Sequence, residues 1–190
     1  MTLPNVPNLL TSARILLAPA FLWLYLGGDT DGALVVFAVA ALTDLLDGLA
    51  ARLLGQVTRL GALLDAAADK LLLACALLGL AGRGQLPWWL AAVVVARDVL
   101  LSAGTVLLAV THHPVTIRPT RVGKVATASL VVTVVLALAL AWRAPGPRSP
   151  WLDALGLLAA MLVVASALQY AVAFRALWRT EGRAAERSGR

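Results

Sequence analysis

Long apolar runs alternate with short polar breaks along the whole chain. Six of these runs approach or exceed the ~20 apolar residues that a helix needs to cross a bilayer. The breaks hold residues that end helices, such as Gly27-Gly28 and the Pro/Gly-rich segment 144–150. The pattern therefore predicts six membrane-spanning helices, over residues 8–26, 32–54, 61–81, 87–110, 122–142 and 151–178.

The composition agrees with this pattern. The 190 residues are 61% apolar and 14% charged, whereas a soluble domain is nearer half apolar and a quarter charged. We therefore expect an all-α integral membrane protein, with residues 1–178 forming one helical domain and 179–190 forming a basic cytoplasmic tail that frays. Cys75 is the single cysteine, which excludes an intrachain disulfide. The bilayer is the expected partner, and we expect no nucleic acid.

Lysine and arginine in the short loops predict the orientation, because they are enriched on the cytoplasmic side. With the N-terminus in the cytoplasm, the inner side receives Arg14, Arg52, Arg59, Arg118, Arg121, Lys124 and the arginines of 175–190. The outer side receives Arg83, Arg143 and Arg148, together with Asp29 and Asp31. Both termini are thus predicted to be cytoplasmic, in a multi-pass protein of the cell membrane.

Four aspartates interrupt the second and third apolar runs, at their predicted cytoplasmic ends. Asp44 and Asp47 lie on the second run, and Asp65 and Asp69 on the third. A charged side chain at the centre of a bilayer costs about 2.5–3.5 kcal/mol on insertion scales, and less near the interface. Four carboxylates kept this close together predict a neutralising partner, and divalent metal is the obvious candidate.

Helical spacing predicts that the four carboxylates meet. Residues three and four apart share a helix face, so each run carries one stripe that contains two aspartates and small residues. The two helices are joined by a short loop and run antiparallel, so the stripes can face each other. Hard oxygen ligands suit Mg²⁺, Mn²⁺ or Ca²⁺. Gly48, Ala51 and Gly61 lie on the same stripes and leave room beside the ions for a ligand.

The residues 44–69 resemble the signature of the CDP-alcohol phosphatidyltransferase family, D-x2-D-G-x2-A-R-x8-G-x3-D-x3-D. All eight fixed positions are present with the usual spacing. The opening segment 5–14, Asp69-Lys70, Arg97-Asp98 and Gly123-Lys124 with Thr127 are also similar to bacterial phosphatidylglycerophosphate synthases and the related cardiolipin synthases. One departure is Ala66, where relatives often have proline; it lies outside the fixed positions.

The resemblance implies an enzyme that transfers a phosphatidyl group from CDP-diacylglycerol to an alcohol and releases CMP. It implies that Asp44, Asp47 and Asp65 bind two divalent ions, Mg²⁺ or Mn²⁺, and that Asp69 is both a further ligand and the general base. Two ions can offset the charge of a pyrophosphate, and a carboxylate at the rim can accept the proton of the acceptor.

The resemblance also implies sites for the two substrates. Gly48, Ala51 and Gly61 would make space for the cytidine, and Arg52 could donate to a phosphate. Four of the cations predicted on the inner side are candidates for holding the phosphate of an acceptor, although each is also explained by topology or lipid contact. These candidates are Arg14, Arg118, Arg121 and Lys124.

The acceptor stays open at this point. The basic segment 118–124 favours a phosphate-bearing alcohol, with glycerol 3-phosphate as the leading choice, phosphatidylglycerol (which would give cardiolipin) and an inositol phosphate as alternatives. A function of a different class is divalent-cation transport, because carboxylates within a membrane often mark ion paths. Against transport, the acidic residues lie at one interface only. A homodimer is expected from the resemblance alone.

Overall fold

Six helices make up most of the part of the chain that the structure describes. The computed structural model describes the backbone of residues 6–54, 59–110, 120–143 and 149–188, and the side chains of 11–44, 64–104, 120–143 and 149–172. No strand occurs in these ranges. The helices are α1 (Val6–Leu26), α2 (Thr30–Leu54), α3 (Arg59–Gly82), α4 (Trp88–Val110), α5 (Arg121–Arg143) and α6 (Pro150–Ser188).

Local sequence explains where two of the connections fall. Gly28 follows α1 with φ of 95°, a conformation that glycine adopts without the steric cost that a Cβ brings. Asp29 then caps α2, because its Oδ1 accepts a hydrogen bond of 2.9 Å from the backbone N–H of Gly32. Thr120 caps α5 in the same way, through a bond of 3.1 Å from the N–H of Gly123 to its Oγ1.

Helix α1 lies between α2 and α3. It packs extensively on both of them, whereas α2 and α3 share few contacts with each other. Helix α5 packs mainly on α6, and α4 contacts α3 and α6. The predicted direct pairing of α2 with α3 is therefore incomplete. The reason is that a third helix, α1, separates them along most of their length and contributes its own side chains to the space between.

Small residues allow α1 and α3 to approach closely. A Cβ added at Gly79 of α3 would lie 3.1 Å from the ring of Tyr25, a tight contact that would require the ring or the helices to shift by a few tenths of an ångström. Tyr25 is fully buried and stacks on Phe21, with ring centroids 5.5 Å apart. Close packing of small residues against neighbouring helices is typical of helix association in membranes.

Polar contacts stabilise the packing of the helix ends that lie away from the aspartates. The Arg83 guanidinium lies 4.8 Å from the centroid of the Tyr25 ring, and its Nη1 donates a bond of 2.7 Å to Oγ1 of Thr30. The indole Nε1 of Trp142 donates a bond of 2.7 Å to Oδ1 of Asp31. These contacts join the ends of α1, α2, α3 and α5.

The prediction of an all-helical chain is confirmed, with six helices close to the predicted runs. Within the described ranges, two helical segments are long and apolar enough to cross a membrane, Arg121–Arg143 and Pro150–Val172. The sixth predicted run ends at residue 178. Helix α6 continues to Ser188, because the tail contains several good helix formers and no proline.

Candidate metal and transfer site

Three of the four signature aspartates converge between α1, α2 and α3. Asp44 comes from α2, while Asp65 and Asp69 lie one turn apart on α3, as the four-residue spacing dictates. Each offers a carboxylate oxygen, and these atoms all lie within 4.8 Å of one another. The three side chains are 45%, 43% and 49% exposed, respectively, so the group opens to the outside and is accessible to a ligand.

A buried arginine from α1 contacts all three carboxylates. Nη1 of Arg14 lies 2.8 Å from Oδ1 of Asp44, 3.0 Å from Oδ1 of Asp65 and 2.6 Å from Oδ1 of Asp69. The Arg14 side chain is 0% exposed. Its interactions therefore act at lower effective dielectric than those of a surface ion pair, and they fix the carboxylates relative to α1.

The donor set fits a hard divalent cation. Carboxylate oxygens are the ligands that Mg²⁺, Mn²⁺ and Ca²⁺ prefer, and three of them converge here within the span of a single ion site. The group also attracts positive charge, since the guanidinium of Arg14 already lies against it. Asp44, Asp65 and Asp69 can thus hold a metal ion.

A cavity of ≈ 410 Å³ adjoins the aspartates and runs between α2, α3, α4 and α5. Asp44 and Asp69 form one side of it, and Lys70 and Arg97 line it as well. Arg97 pairs with Asp98 through a contact of 2.6 Å between Nη1 and Oδ1. Much of the remaining wall is apolar. The cavity therefore combines anionic, cationic and apolar surfaces, which suits an amphiphilic substrate that carries phosphate.

The other residues predicted for the site have different placements. Asp47, Gly48, Ala51 and Arg52 lie on α2, and Gly61 on α3, at positions where only the backbone is described. Arg121 and Lys124 are exposed on the first turn of α5, and neither lines the cavity. Arg118 lies outside the described residues. The side chain of Arg14, predicted as a phosphate ligand, contacts the three aspartates and does not line the cavity.

Sequence reasoning missed two serines that orient the cavity's cations. Ser102 of α4 accepts a hydrogen bond of 2.8 Å from Nζ of Lys70. Ser166 of α6 accepts one of 3.3 Å from Nη2 of Arg97 and is itself fully buried. A hydroxyl inside an otherwise apolar run was the available signal, but serine is common in such helices, so the signal singled out neither residue.

Comparison with protein families gives one match that covers most of the chain. The family model described as CDP-alcohol phosphatidyltransferase matches residues 4–165. This range includes α1 to α5 and the first part of α6, and hence the three converging aspartates, the arginine between them and the cavity.

Individual relatives carry two different names. CDP-diacylglycerol–glycerol-3-phosphate 3-phosphatidyltransferases of Shigella flexneri and Escherichia coli are 36% identical over 182 residues, which is 90% of this chain and 96% of theirs. A CMP-forming cardiolipin synthase of Streptomyces coelicolor is 45% identical over 103 residues, 51% of this chain and 48% of the relative. The second match thus spans only about half of either protein.

Proposed function

Since the chain belongs to the CDP-alcohol phosphatidyltransferase family, we propose that it transfers a phosphatidyl group from CDP-diacylglycerol to glycerol 3-phosphate. The products are phosphatidylglycerophosphate and CMP. Relatives that match 90% of the chain bear the name of this reaction. The structural observation that carries the proposal is the convergence of Asp44, Asp65 and Asp69 beside a cavity. Two cationic side chains also line this cavity.

The proposed metal ligands are these three aspartates together with Asp47. Asp47 lies three residues beyond Asp44 in the sequence, a spacing at which two residues of a helix share a face. Two ions, Mg²⁺ or Mn²⁺, are the proposed complement. When bound, such ions offset the charge of the pyrophosphate and of the departing CMP.

Asp69 is the proposed general base. It lines the cavity and is about half exposed, so an acceptor hydroxyl can approach its carboxylate. The acceptor oxygen forms a bond to the phosphorus of the phosphatidyl group, and the bond from that phosphorus to the CMP oxygen breaks. The acceptor proton passes to the Asp69 carboxylate, and the bonding electrons of the broken bond leave with CMP.

The proposed nucleotide site uses small residues and one arginine. Gly48, Ala51 and Gly61 leave space along the α2 and α3 backbones for the cytidine. Arg52 lies one position beyond Ala51 and supplies forked donors for a phosphate. These assignments follow the signature of the family, which this chain matches at each of the named positions.

The acceptor's phosphate is proposed to bind the basic residues near the start of α5. Arg121 and Lys124 are exposed there, and Arg118 precedes them in the sequence. Arg14 is the fourth cation proposed for the acceptor. Glycerol 3-phosphate carries a dianionic phosphate that such a cluster attracts, whereas the phosphate of phosphatidylglycerol carries one charge and two acyl chains nearby.

We place the enzyme in the cell membrane, with six spans, both termini in the cytoplasm and the aspartates at the cytoplasmic face. Six helices of at least 21 residues support this, as do the two most apolar segments and the bias of basic residues. The site then lies where CDP-diacylglycerol in the bilayer and a soluble acceptor in the cytosol meet. A homodimer is proposed from family resemblance alone.

The test is product identity. Detergent-purified protein is incubated with CDP-diacylglycerol, Mg²⁺ or Mn²⁺, and one acceptor at a time: glycerol 3-phosphate, phosphatidylglycerol or an inositol phosphate. We expect CMP release and phosphatidylglycerophosphate, measured by mass spectrometry, only with the first acceptor. Cardiolipin from phosphatidylglycerol would favour the second candidate, which the Streptomyces relative supports. Metal flux into vesicles without CMP release in any reaction would favour transport instead.

A further inference from the structure

Arg14 lies at the centre of the aspartate group rather than at its edge. A single nitrogen, Nη1, is within 2.6–3.0 Å of one oxygen from each of the three carboxylates. The carboxylates come from two helices and the arginine from a third. The guanidinium is fully enclosed, so this contact is a built feature of the interface between α1, α2 and α3.

The arrangement resembles an ion among its ligands more than an ordinary salt bridge. An Nη1 group carries two hydrogens, so three close carboxylate oxygens exceed the number of linear hydrogen bonds that it can donate. Charge attraction therefore holds at least part of the set together. A divalent ion would bind carboxylate oxygens, and carboxylate oxygens are also the atoms that the guanidinium contacts.

The charges also indicate that the guanidinium and the ions compete. The four carboxylates proposed as ligands, with one arginine, leave a net charge of three negative units, so the group still attracts dications. Four carboxylates with the two proposed dications sum to zero, and the guanidinium then becomes a surplus positive charge beside them. Cations that share one set of ligands repel each other strongly when they are buried together.

We infer that Arg14 is a counter-cation that holds the three aspartates together in the metal-free protein and that divalent metal displaces from them. The inference rests on the metal requirement of the proposed function. Its consequence is that the metal affinity of the wild-type protein includes the cost of removing the guanidinium from its carboxylates.

The test compares metal binding in variants that keep or remove the charge. Full-length protein in detergent is titrated with Mn²⁺, and free Mn²⁺ is measured by electron paramagnetic resonance. Arg14→Met and Arg14→Gln should bind Mn²⁺ about tenfold more tightly, or better, because no cation must be displaced. Arg14→Lys keeps the charge and should stay within about threefold of the wild type.

Thermal stability gives a second measurement. The two neutral variants should melt at a lower temperature than the wild type without metal, because three close carboxylates then repel one another. Added Mn²⁺ should also raise the melting temperature of these variants more than that of the wild type, because tighter binding to the folded state stabilises it further. If Arg14→Met does not fold, Arg14→Gln, whose amide can still donate to the carboxylates, provides the comparison.

Arg83→Met is the matched control. Arg83 also makes tertiary contacts, but it lies 14 positions beyond Asp69, roughly 21 Å along the chain at helical rise. This variant should lose stability and keep wild-type Mn²⁺ affinity. Unchanged or weaker Mn²⁺ binding in both neutral Arg14 variants overturns the inference. Absent CMP release by the wild type would overturn the proposed reaction, while the Mn²⁺ affinities would still decide the role of Arg14.

Discussion

Nζ of Lys70 donates a hydrogen bond of 2.8 Å to Oγ of Ser102, although 32 positions separate the two residues. The bond ties the cation that follows Asp69 to α4 and holds it at the wall of the cavity. Because this side chain is already held in place, its contact with a substrate phosphate costs little further conformational entropy.

Removing the charge of Lys70 should lower kcat/KM more than removing the hydroxyl of Ser102 that accepts its hydrogen bond. We expect Lys70→Met to lower kcat/KM by about tenfold or more, because a charge-assisted hydrogen bond is lost. Ser102→Ala should lower it by roughly threefold, because the ammonium remains but is less well placed. Steady-state CMP release measures both. Ser129→Ala is the control, since the Ser129 hydroxyl donates to the carbonyl oxygen of Ala126 on its own helix; equal losses for Lys70→Met and this control would contradict the prediction.

Asp69→Asn should nearly abolish turnover. An amide cannot accept the acceptor's proton, and general-base catalysis contributes roughly 10²- to 10⁴-fold. Binding of CDP-diacylglycerol should be largely kept, because Asp44 and Asp65 remain. Single-turnover CMP release and binding of the CDP-lipid separate the two effects.

Asp31→Asn is the matched control for Asp69→Asn. Asp31 also has a side-chain partner, Trp142, but it lies at the other end of the bundle. Its substitution should leave turnover near the wild-type rate. A large loss in the control together with a small loss in Asp69→Asn would count against the assignment of the base.

Basic residues at the start of α5 should affect the acceptor more than the lipid. Arg121→Ala and Lys124→Ala are each expected to raise the KM for glycerol 3-phosphate by about tenfold, because each loses a charge-assisted contact with its phosphate. The KM for CDP-diacylglycerol should change much less. Arg143→Ala, at the opposite end of the same helix, should change neither; equal effects on both substrates would argue against an acceptor pocket here.

Two glycines provide a paired test of helix packing. Gly79→Ala adds a Cβ 3.1 Å from the Tyr25 ring, whereas Gly104→Ala adds one with no atom within 4 Å. We expect Gly79→Ala to lower the melting temperature, since overpacking costs about 1–3 kcal/mol. Gly104→Ala should raise it slightly, because alanine is favoured in helices by up to about 1 kcal/mol. Thermal unfolding in detergent measures both, and a higher melting temperature for Gly79→Ala would contradict the packing described.

The sequence predicted the helices well because each apolar run has the length of a span and ends at residues that terminate helices. The spacing of Asp65 and Asp69 also predicted a shared face, because four residues advance a helix by about one turn. Both features are local, and local geometry is what a single sequence reveals most directly.

The position of α1 could not be predicted in the same way. Whether Arg14 faces lipid headgroups, a phosphate or the aspartates depends on which helices pack together, and apolar periodicity does not specify the partner of a membrane helix. Ser166 raised the same difficulty. Its bond to Arg97 joins residues 69 positions apart, and nothing in either segment alone indicates the other.

The contact between Arg14 and α3 has a consequence for biogenesis. The arginine is made 51 positions before Asp65 and 55 before Asp69, so α1 leaves the ribosome well ahead of two of its three counter-ions. An arginine without them is disfavoured in a bilayer, by up to about 2.5–3.5 kcal/mol on insertion scales at the centre and by less near the interface. We therefore predict that α1, α2 and α3 together form the earliest stable unit during synthesis, and that a nascent chain arrested after α2 remains with the insertion machinery.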